Sequence, residues 1–365
     1  MSDLRRLQQV IARQFGCRHV ILTGHGTTAI YLALKAVEMQ AGLGEVLVPA
    51  IGCASIAQMI EYAGFTPRFV DINLDDYTLD IGALERAVTP AARAIMPVHL
   101  FGHAADMNRV MEIARQNGLY VIEDAAQSLG GEYGGAKLGA IGDFGVLSFG
   151  GTKIVSAGGG GALLLNDDRH LAAIEREIAA LPAFDTSPRI SLKALSHRNL
   201  YHGVVDLLRT ENEAQLQGVF RTAMTAYREL YFHRFPENGV AELIEDALAK
   251  LPDNLKARLE RAEQYHAALA GLPVRQSDNW RSSGSVWRYT FLLPTADATF
   301  RVTSSLRRNG LNASNHYWSL ADIFDGDKSA PNTAVFCPRV LNLWVDESAS
   351  AESIRKSCRI IADSL

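Results

Sequence analysis

Short apolar runs rich in β-branched residues recur through the first half of the chain, at residues 19–22, 45–49, 68–70, 94–98, 119–122, 144–149 and 162–165. Each has the length and character of a buried strand. Between most of them lie segments with apolar residues three and four positions apart, at 27–38, 55–63 and 107–117, the last closed by Gly118 as a helix stop. Strands alternating with helices predict an α/β layer architecture around a mostly parallel sheet of seven strands. Ligands of such sheets sit at the carboxyl ends of the strands, where loops and helix amino termini converge.

The pattern changes after the last of these runs. From about residue 187 to 236 it is helical, with Arg, Glu and Gln faces, and reads as a helical insertion in a large domain spanning 1–245. A polar helix through 255–269, a strand at 287–293, a helix at 300–308 stopped by Gly310 and a closing helix from residue 351 predict a smaller α+β domain at 246–365. No internal repeat is visible.

Composition narrows the partners. The chain has 365 residues, 36 basic against 40 acidic for a net charge of −4, and no basic run, which argues against nucleic acid or an anionic membrane surface. Four scattered cysteines without CxxC spacing, Cys17, Cys53, Cys337 and Cys358, fit a reducing cytoplasm. The amino terminus carries no apolar signal region, and no stretch approaches about 18 uninterrupted apolar residues. The expectation is a cytoplasmic protein with small-molecule partners.

Four strand ends carry candidate chemistry. Leu119-Tyr120-Val121-Ile122-Glu123-Asp124-Ala125-Ala126-Gln127 ends an apolar strand in two carboxylates, either of which could instead cap the next helix. Phe144-Gly145-Val146-Leu147-Ser148-Phe149-Gly150-Gly151-Thr152-Lys153 puts a lysine beyond a small-residue turn, with glycines on its far side. A lysine that forms a Schiff base with a pyridoxal cofactor needs an acidic partner for the pyridinium nitrogen, and a carboxylate stands one strand earlier. Thr23-Gly24-His25-Gly26-Thr27-Thr28 turns from strand into helix, where backbone amides and the Thr27 and Thr28 hydroxyls suit a phosphate. Pro97-Val98-His99-Leu100-Phe101-Gly102-His103 carries two histidines, but with no HExxH pattern or third ligand a metal is not expected.

Taken in order, His25-Gly26-Thr27, Val48-Pro49, Phe69-Val70-Asp71, Val98-His99-Leu100-Phe101-Gly102, Glu123-Asp124-Ala125-Ala126-Gln127, Gly142-Asp143, Ser148-Phe149 and Thr152-Lys153 resemble the DegT/StrS family. These are pyridoxal-phosphate (PLP) sugar aminotransferases of fold type I. The resemblance is dense over residues 15–170 and looser over 250–365. It implies that Lys153 carries the cofactor and later shuttles a proton, and that Asp124 pairs with the pyridinium nitrogen. It further implies that Ala126 packs under the ring, Gln127 bonds near the ring hydroxyl, and Gly26, Thr27 and Ser148 hold the phosphate. By the same analogy His99, His316 and Tyr317 would face substrate, as would Trp287-Arg288-Tyr289, and the active site would lie at a homodimer interface.

Two positions depart from the family pattern. Where members place a ring-stacking aromatic residue beyond the Val-Pro strand end, this chain has Gly52-Cys53, which leaves stacking to Cys53, His25 or His99, unless Cys53 is simply a buried small hydrophobe. The downstream Asn/Arg motif that reaches the neighbouring subunit's phosphate is missing; Arg198 and Asn199 occupy the region.

The reaction expected is transamination. An amino-acid donor, L-glutamate first, converts PLP to pyridoxamine phosphate (PMP), which then aminates a keto group of a sugar, nucleotide sugar or carbocycle. The alternatives are a PLP-dependent elimination or dehydration, from which Lys153 argues away because dehydrating relatives carry histidine there, and a non-catalytic PLP-binding regulator. A dinucleotide enzyme is disfavoured, since no acidic residue ends the strand at Pro49.

Overall fold

The computed structural model describes residues 3–184, 193, 195–196, 200, 230–236, 239–324, 326–327 and 329–365. Most of the expected helical insertion therefore lies outside the described residues, as do Arg198 and Asn199.

A seven-stranded sheet forms the heart of the amino-terminal part. Its strands are β1 (His19–Thr23), β2 (Glu45–Pro49), β3 (Thr66–Val70), β4 (Ala92–Ile95), β5 (Tyr120–Asp124), β8 (Phe144–Ser148) and β9 (Gly161–Leu165), with a hairpin of β6 (Glu132–Tyr133) and β7 (Ala136–Lys137) between β5 and β8. Their order is β1-β9-β8-β5-β4-β2-β3, and β9 alone runs antiparallel to its neighbours β1 and β8. The predicted mostly parallel sheet of seven strands is present. Its members are near-continuous apolar runs because helices cover both faces: α2 (Gly26–Ala41) and α3 (Ala54–Tyr62) contribute to one core cluster, α1 (Asp3–Phe15) to a second and α5 (Met107–Asn117) to a third. α5 has the predicted bounds: Asp106 caps it through Arg109 N–H, and Gly118 ends it in the left-handed region at φ 64°.

The strand expected at 94–98 is shifted. β4 ends at Ile95, and Pro97 lies beyond it, where its lack of an N–H does not interrupt the ladder.

A second, four-stranded sheet of order β10-β11-β13-β12 is built from β10 (Arg275–Gln276), β11 (Arg288–Leu292), β12 (Ala313–Ser314) and β13 (Val340–Trp344). Helices Leu251–Ala268, Ala296–Arg308 and Ala351–Ser364 pack over it around Trp280, Tyr289 and Phe291. No helix among the described residues is long and apolar enough to cross a membrane.

Candidate active site

The large-sheet strands β1, β2, β5 and β8 all run toward one edge, so their carboxyl ends deliver Gly26, Cys53, Asp124 and Ser148 to a common rim. A cavity of about 680 Å³ opens there, between the two sheets. The large-domain side is lined by Gly52, Cys53, Gln127, Thr152 and Lys153, and the opposite side by Trp287, Arg288, Arg307, His316, Tyr317 and Trp344.

Lys153 stands half-buried on the wall, its Nζ 5.6 Å from the centre of the Trp287 ring. Lost hydration holds its ammonium below the usual lysine range, and the Arg288 charge pushes the same way; Asp124 and Cys53 oppose both. Asp124 is buried, and burial raises its carboxyl above the usual range against the Ala126 N–H, which donates to Oδ1 at 2.9 Å, and against the charges of Lys153 and His99. The two groups thus sense one another, each holding part of the other's charge in place.

Adjacent Glu123 does a different job. Successive strand side chains point to opposite faces, and Glu123 accepts from Gly139 N–H at 2.9 Å, from Ile141 and Gly142 N–H, and from His99. Four donors make it the anchor of the turn between β7 and β8. Of the two carboxylates at this strand end, only Asp124 is left for chemistry.

At the head of α2 the first amides receive no side-chain cap from His25. The Thr27 hydroxyl is buried there without a hydrogen-bond partner among the described residues. Gly26 lies against Ser148, where a Cβ would come within 3.0 Å of the serine Cβ, and Gly161 passes so near His25 that a Cβ would meet its carbonyl carbon at 2.4 Å. Helix amides without a side-chain cap, the Thr27 hydroxyl and a second hydroxyl on Ser148 form a cup that fits a phosphate. Thr28 does not join it: its hydroxyl donates to the Tyr231 carbonyl. Ser148 Oγ and Lys153 Cγ flank Gly150, so the cup and the lysine adjoin.

Gln127 lines the cavity, and its Oε1 accepts the Phe101 N–H at 2.9 Å, which fixes the amide with its nitrogen as the remaining donor. Half-buried Ala126 follows Asp124 in the same turn. Cys53 is exposed to the cavity, its Sγ 2.9 Å from Ser55 Oγ. Neither histidine considered for ring stacking lines this cavity. His99 is fully buried, with Nδ1 accepting from Ala105 N–H and Nε2 directed at Glu123, both at 3.2 Å, and it is therefore not brought to the substrate side either. His25 faces Phe184 and His233, and burial together with His233 lowers its imidazole to about 4. His103, likewise buried, is bonded through Nδ1 to Ser277, and no group of His, Cys, Asp or Glu among the described residues could hold a metal.

From the small sheet, His316 and Tyr317 reach the cavity as expected, and so do Trp287 and Arg288, whereas Tyr289 turns into the core to bond Gln276. Arg307 Nη2 donates to His316 Nε2 at 2.7 Å, which puts the imidazole proton on Nδ1. Arg307, Asn342 and Trp344 went unnoticed in the sequence. The last two lie on β13, whose apolar run around a single asparagine was a usable strand signal.

A mostly parallel sheet with a lysine and a carboxylate at its strand ends, joined to a small α+β unit, defines the fold-type I architecture of PLP-dependent transferases. A DegT DnrJ EryC1 StrS aminotransferase from Brucella abortus has this fold, with a TM-score of 0.77 at 24% identity, covering 100% of this chain and 90% of that one. The chain belongs to the DegT/DnrJ/EryC1/StrS aminotransferase family, whose model matches residues 2–187 and 237–362 and leaves out the expected helical insertion. It is 42% identical over 161 residues to the GDP-perosamine synthase of Caulobacter vibrioides, covering 44% of this chain and 43% of the relative. It is 39% identical over 177 residues to the UDP-N-acetyl-3-dehydro-alpha-D-glucosamine 3-aminotransferase of Acidithiobacillus ferrooxidans, covering 48% and 47%. The chain thus spans about half the length of the curated relatives it matches.

Proposed function

We propose that this protein is a PLP-dependent aminotransferase that moves an amino group from an amino-acid donor, L-glutamate first, to a keto group of a sugar, nucleotide sugar or sugar-like carbocycle in a biosynthetic pathway. The observation that carries the reading is Lys153 on the cavity wall in electrostatic reach of buried Asp124, beside a phosphate-fitting cup. The names of the two curated relatives support a nucleotide-linked acceptor.

In this reading Gly26, Thr27 and Ser148 hold the cofactor phosphate, Ala126 and Cys53 border the ring, and Gln127 donates to its hydroxyl. Bound PLP supplies an electron sink for the substrate carbon. Asp124 would hold a proton at the ring nitrogen of the bound cofactor, where its carboxylate, disfavoured by burial alone, would gain a cationic partner. Lys153, held below the usual ammonium range, offers a neutral Nζ to take the proton from the substrate carbon and return it. His316 and Tyr317 line the acceptor side, where an aromatic face and a histidine suit a sugar.

The protein is taken to work as a homodimer with the active site at the subunit interface, by analogy with its fold type. Its scattered free thiols support a reducing, cytoplasmic setting.

The test is the visible absorbance of the PLP-loaded protein before and after L-glutamate, with Lys153→Ala as control. Wild type should be yellow and bleach with glutamate, and the variant should not. A band that glutamate leaves untouched would point to another donor, a lyase or a regulator; no band after incubation with PLP would overturn the reading.

A further inference from the structure

Arg288 opens β11 with 4% of its surface exposed, yet it lines the cavity. Its guanidinium lies between two indoles, with Cζ 4.6 Å from the ring centre of Trp287 and 4.2 Å from that of Trp344, and both indoles line the same cavity. Nη1 donates to the Trp287 carbonyl at 3.1 Å and to Asp346 Oδ2 at 3.2 Å. Nε and Nη2 have no hydrogen-bond partner among the described residues, although a guanidinium carries donors on all three nitrogens. A second arginine, Arg258, donates to the same Trp287 carbonyl at 3.3 Å, and Arg307, which lines the cavity, is bonded to His316 and the Ala313 carbonyl rather than to a carboxylate. The wall is richer in cations than its own carboxylate satisfies.

We propose that Arg288 is the carboxylate-recognising fork of this cavity, taking a carboxylate of the amino-acid donor edge-on through two parallel hydrogen bonds. The inference rests on the aminotransferase reading and adds to it the residue that selects the donor. A guanidinium edge with two open N–H donors matches the two oxygens of a planar carboxylate, and a phosphate is the competing partner that the test separates. The flanking rings also hold the fork in one orientation before the ligand arrives, which removes an ordering cost from binding. Lys153 Nζ and the Arg288 guanidinium both border the Trp287 ring, at 5.6 and 4.6 Å from its centre, so a donor anchored at Arg288 sits on the stretch of wall that holds the reactive lysine.

The test uses tryptophan emission, since two indoles border the proposed subsite. Cofactor-free protein is titrated with glutarate, a dicarboxylate with no amino group, and separately with inorganic phosphate and a nucleoside diphosphate. Wild type should show a saturable change with glutarate, weakened about tenfold or more in both Arg288→Gln and Arg288→Lys, because an ammonium cannot form the paired bonds. Asp346→Asn, which removes the arginine's own partner, should tighten glutarate. In the PLP-loaded enzyme Arg288→Gln should raise the glutamate concentration for half-maximal bleaching by a similar factor while leaving the limiting rate nearly unchanged. Equal glutarate affinity in wild type and Arg288→Lys, or weaker binding in Asp346→Asn, would overturn the proposal. So would displacement of glutarate by phosphate or the diphosphate, which would give the fork to the acceptor. If wild type bleaches with glutamate but the Arg288 variants match it, this inference falls and the aminotransferase reading stands. If wild type fails to bleach while glutarate binding still depends on Arg288, the reverse holds.

Discussion

The backbone N–H of Phe101 donates to Gln127 Oε1 at 2.9 Å, from a residue held at φ 61°, a region that side-chain-bearing residues seldom occupy. Such a conformation persists only where neighbours enforce it, and here Trp287 N–H also bonds the Phe101 carbonyl at 2.7 Å. Gln127→Ala would leave the Phe101 N–H buried and unpaired, an expected loss of about 1–3 kcal/mol. Gln127→Glu keeps the acceptor and should recover most of that stability while weakening PLP retention, since the carboxylate has no N–H to offer the ring. Thermal unfolding of the cofactor-free proteins, followed by PLP titration, separates the two effects.

Removing the Asp124 charge should act on Lys153 as well as on the cofactor. Asp124 raises the lysine's proton affinity against burial, so Asp124→Asn should move the titration of Nζ to lower pH. The pH dependence of lysine modification in the cofactor-free variant reads this directly; a midpoint that stays put or rises would show that the two groups are not coupled. Turnover should fall by at least about a hundredfold, the scale of losing a positioned acid–base partner.

Thr27→Ala is expected to split apo from holo behaviour. The hydroxyl has no partner among the described residues, so its loss should leave cofactor-free stability within about 0.5 kcal/mol of wild type or improve it. PLP affinity should drop about tenfold, the worth of one hydrogen bond to a charged group. Equal PLP affinity in the two proteins would remove Thr27 from the phosphate cup.

Acid should destabilise the fold through buried histidines. Burial lowers His103 from 6.5 to about 3, and burial with His233 lowers His25 from 6.5 to about 4. Between these values the unfolded chain binds protons that the folded one refuses, so this contribution is complete above pH 6.5 and is lost as pH falls toward 4 and 3. Each histidine should add a slope of about 1.4 kcal/mol per pH unit within its window. Urea unfolding from pH 7 to 4 should show it, and His103→Gln should flatten the curve; an unchanged slope would mean that His103 is not held neutral.

The alternation of apolar runs and helical spacings was enough to read the large sheet, because strands covered on both faces are apolar throughout and each ends in a marked turn. The residues at those turns, Lys153, Asp124, Thr27, Gln127 and Cys53, were legible for the same reason: strand ends converge in this architecture. What was hidden depends on distant pairing. β13 carried a strand signal that Asn342 masks, and that asparagine is buried with Thr290 on β11 donating to it at 2.6 Å and its own Nδ2 donating to the Ser314 carbonyl at 3.3 Å. The setting of Arg288 requires Trp344, far along the chain, to close on it from β13. The separate tasks of Glu123 and Asp124 became visible only once the amides of Gly139, Ile141 and Gly142 were seen gathered around one of them.

Trp287 reaches across to the large-sheet side through two of its polar groups and is held within the small unit by the third. Its N–H meets the Phe101 carbonyl, its own carbonyl receives Arg258 and Arg288, and its indole Nε1 donates to the carbonyl of Thr152, the residue before the lysine. A swing of the small sheet away from the large one would break the bonds to Phe101 and Thr152 together, so the seating of the residue next to Lys153 is tied to the apposition of the two sheets.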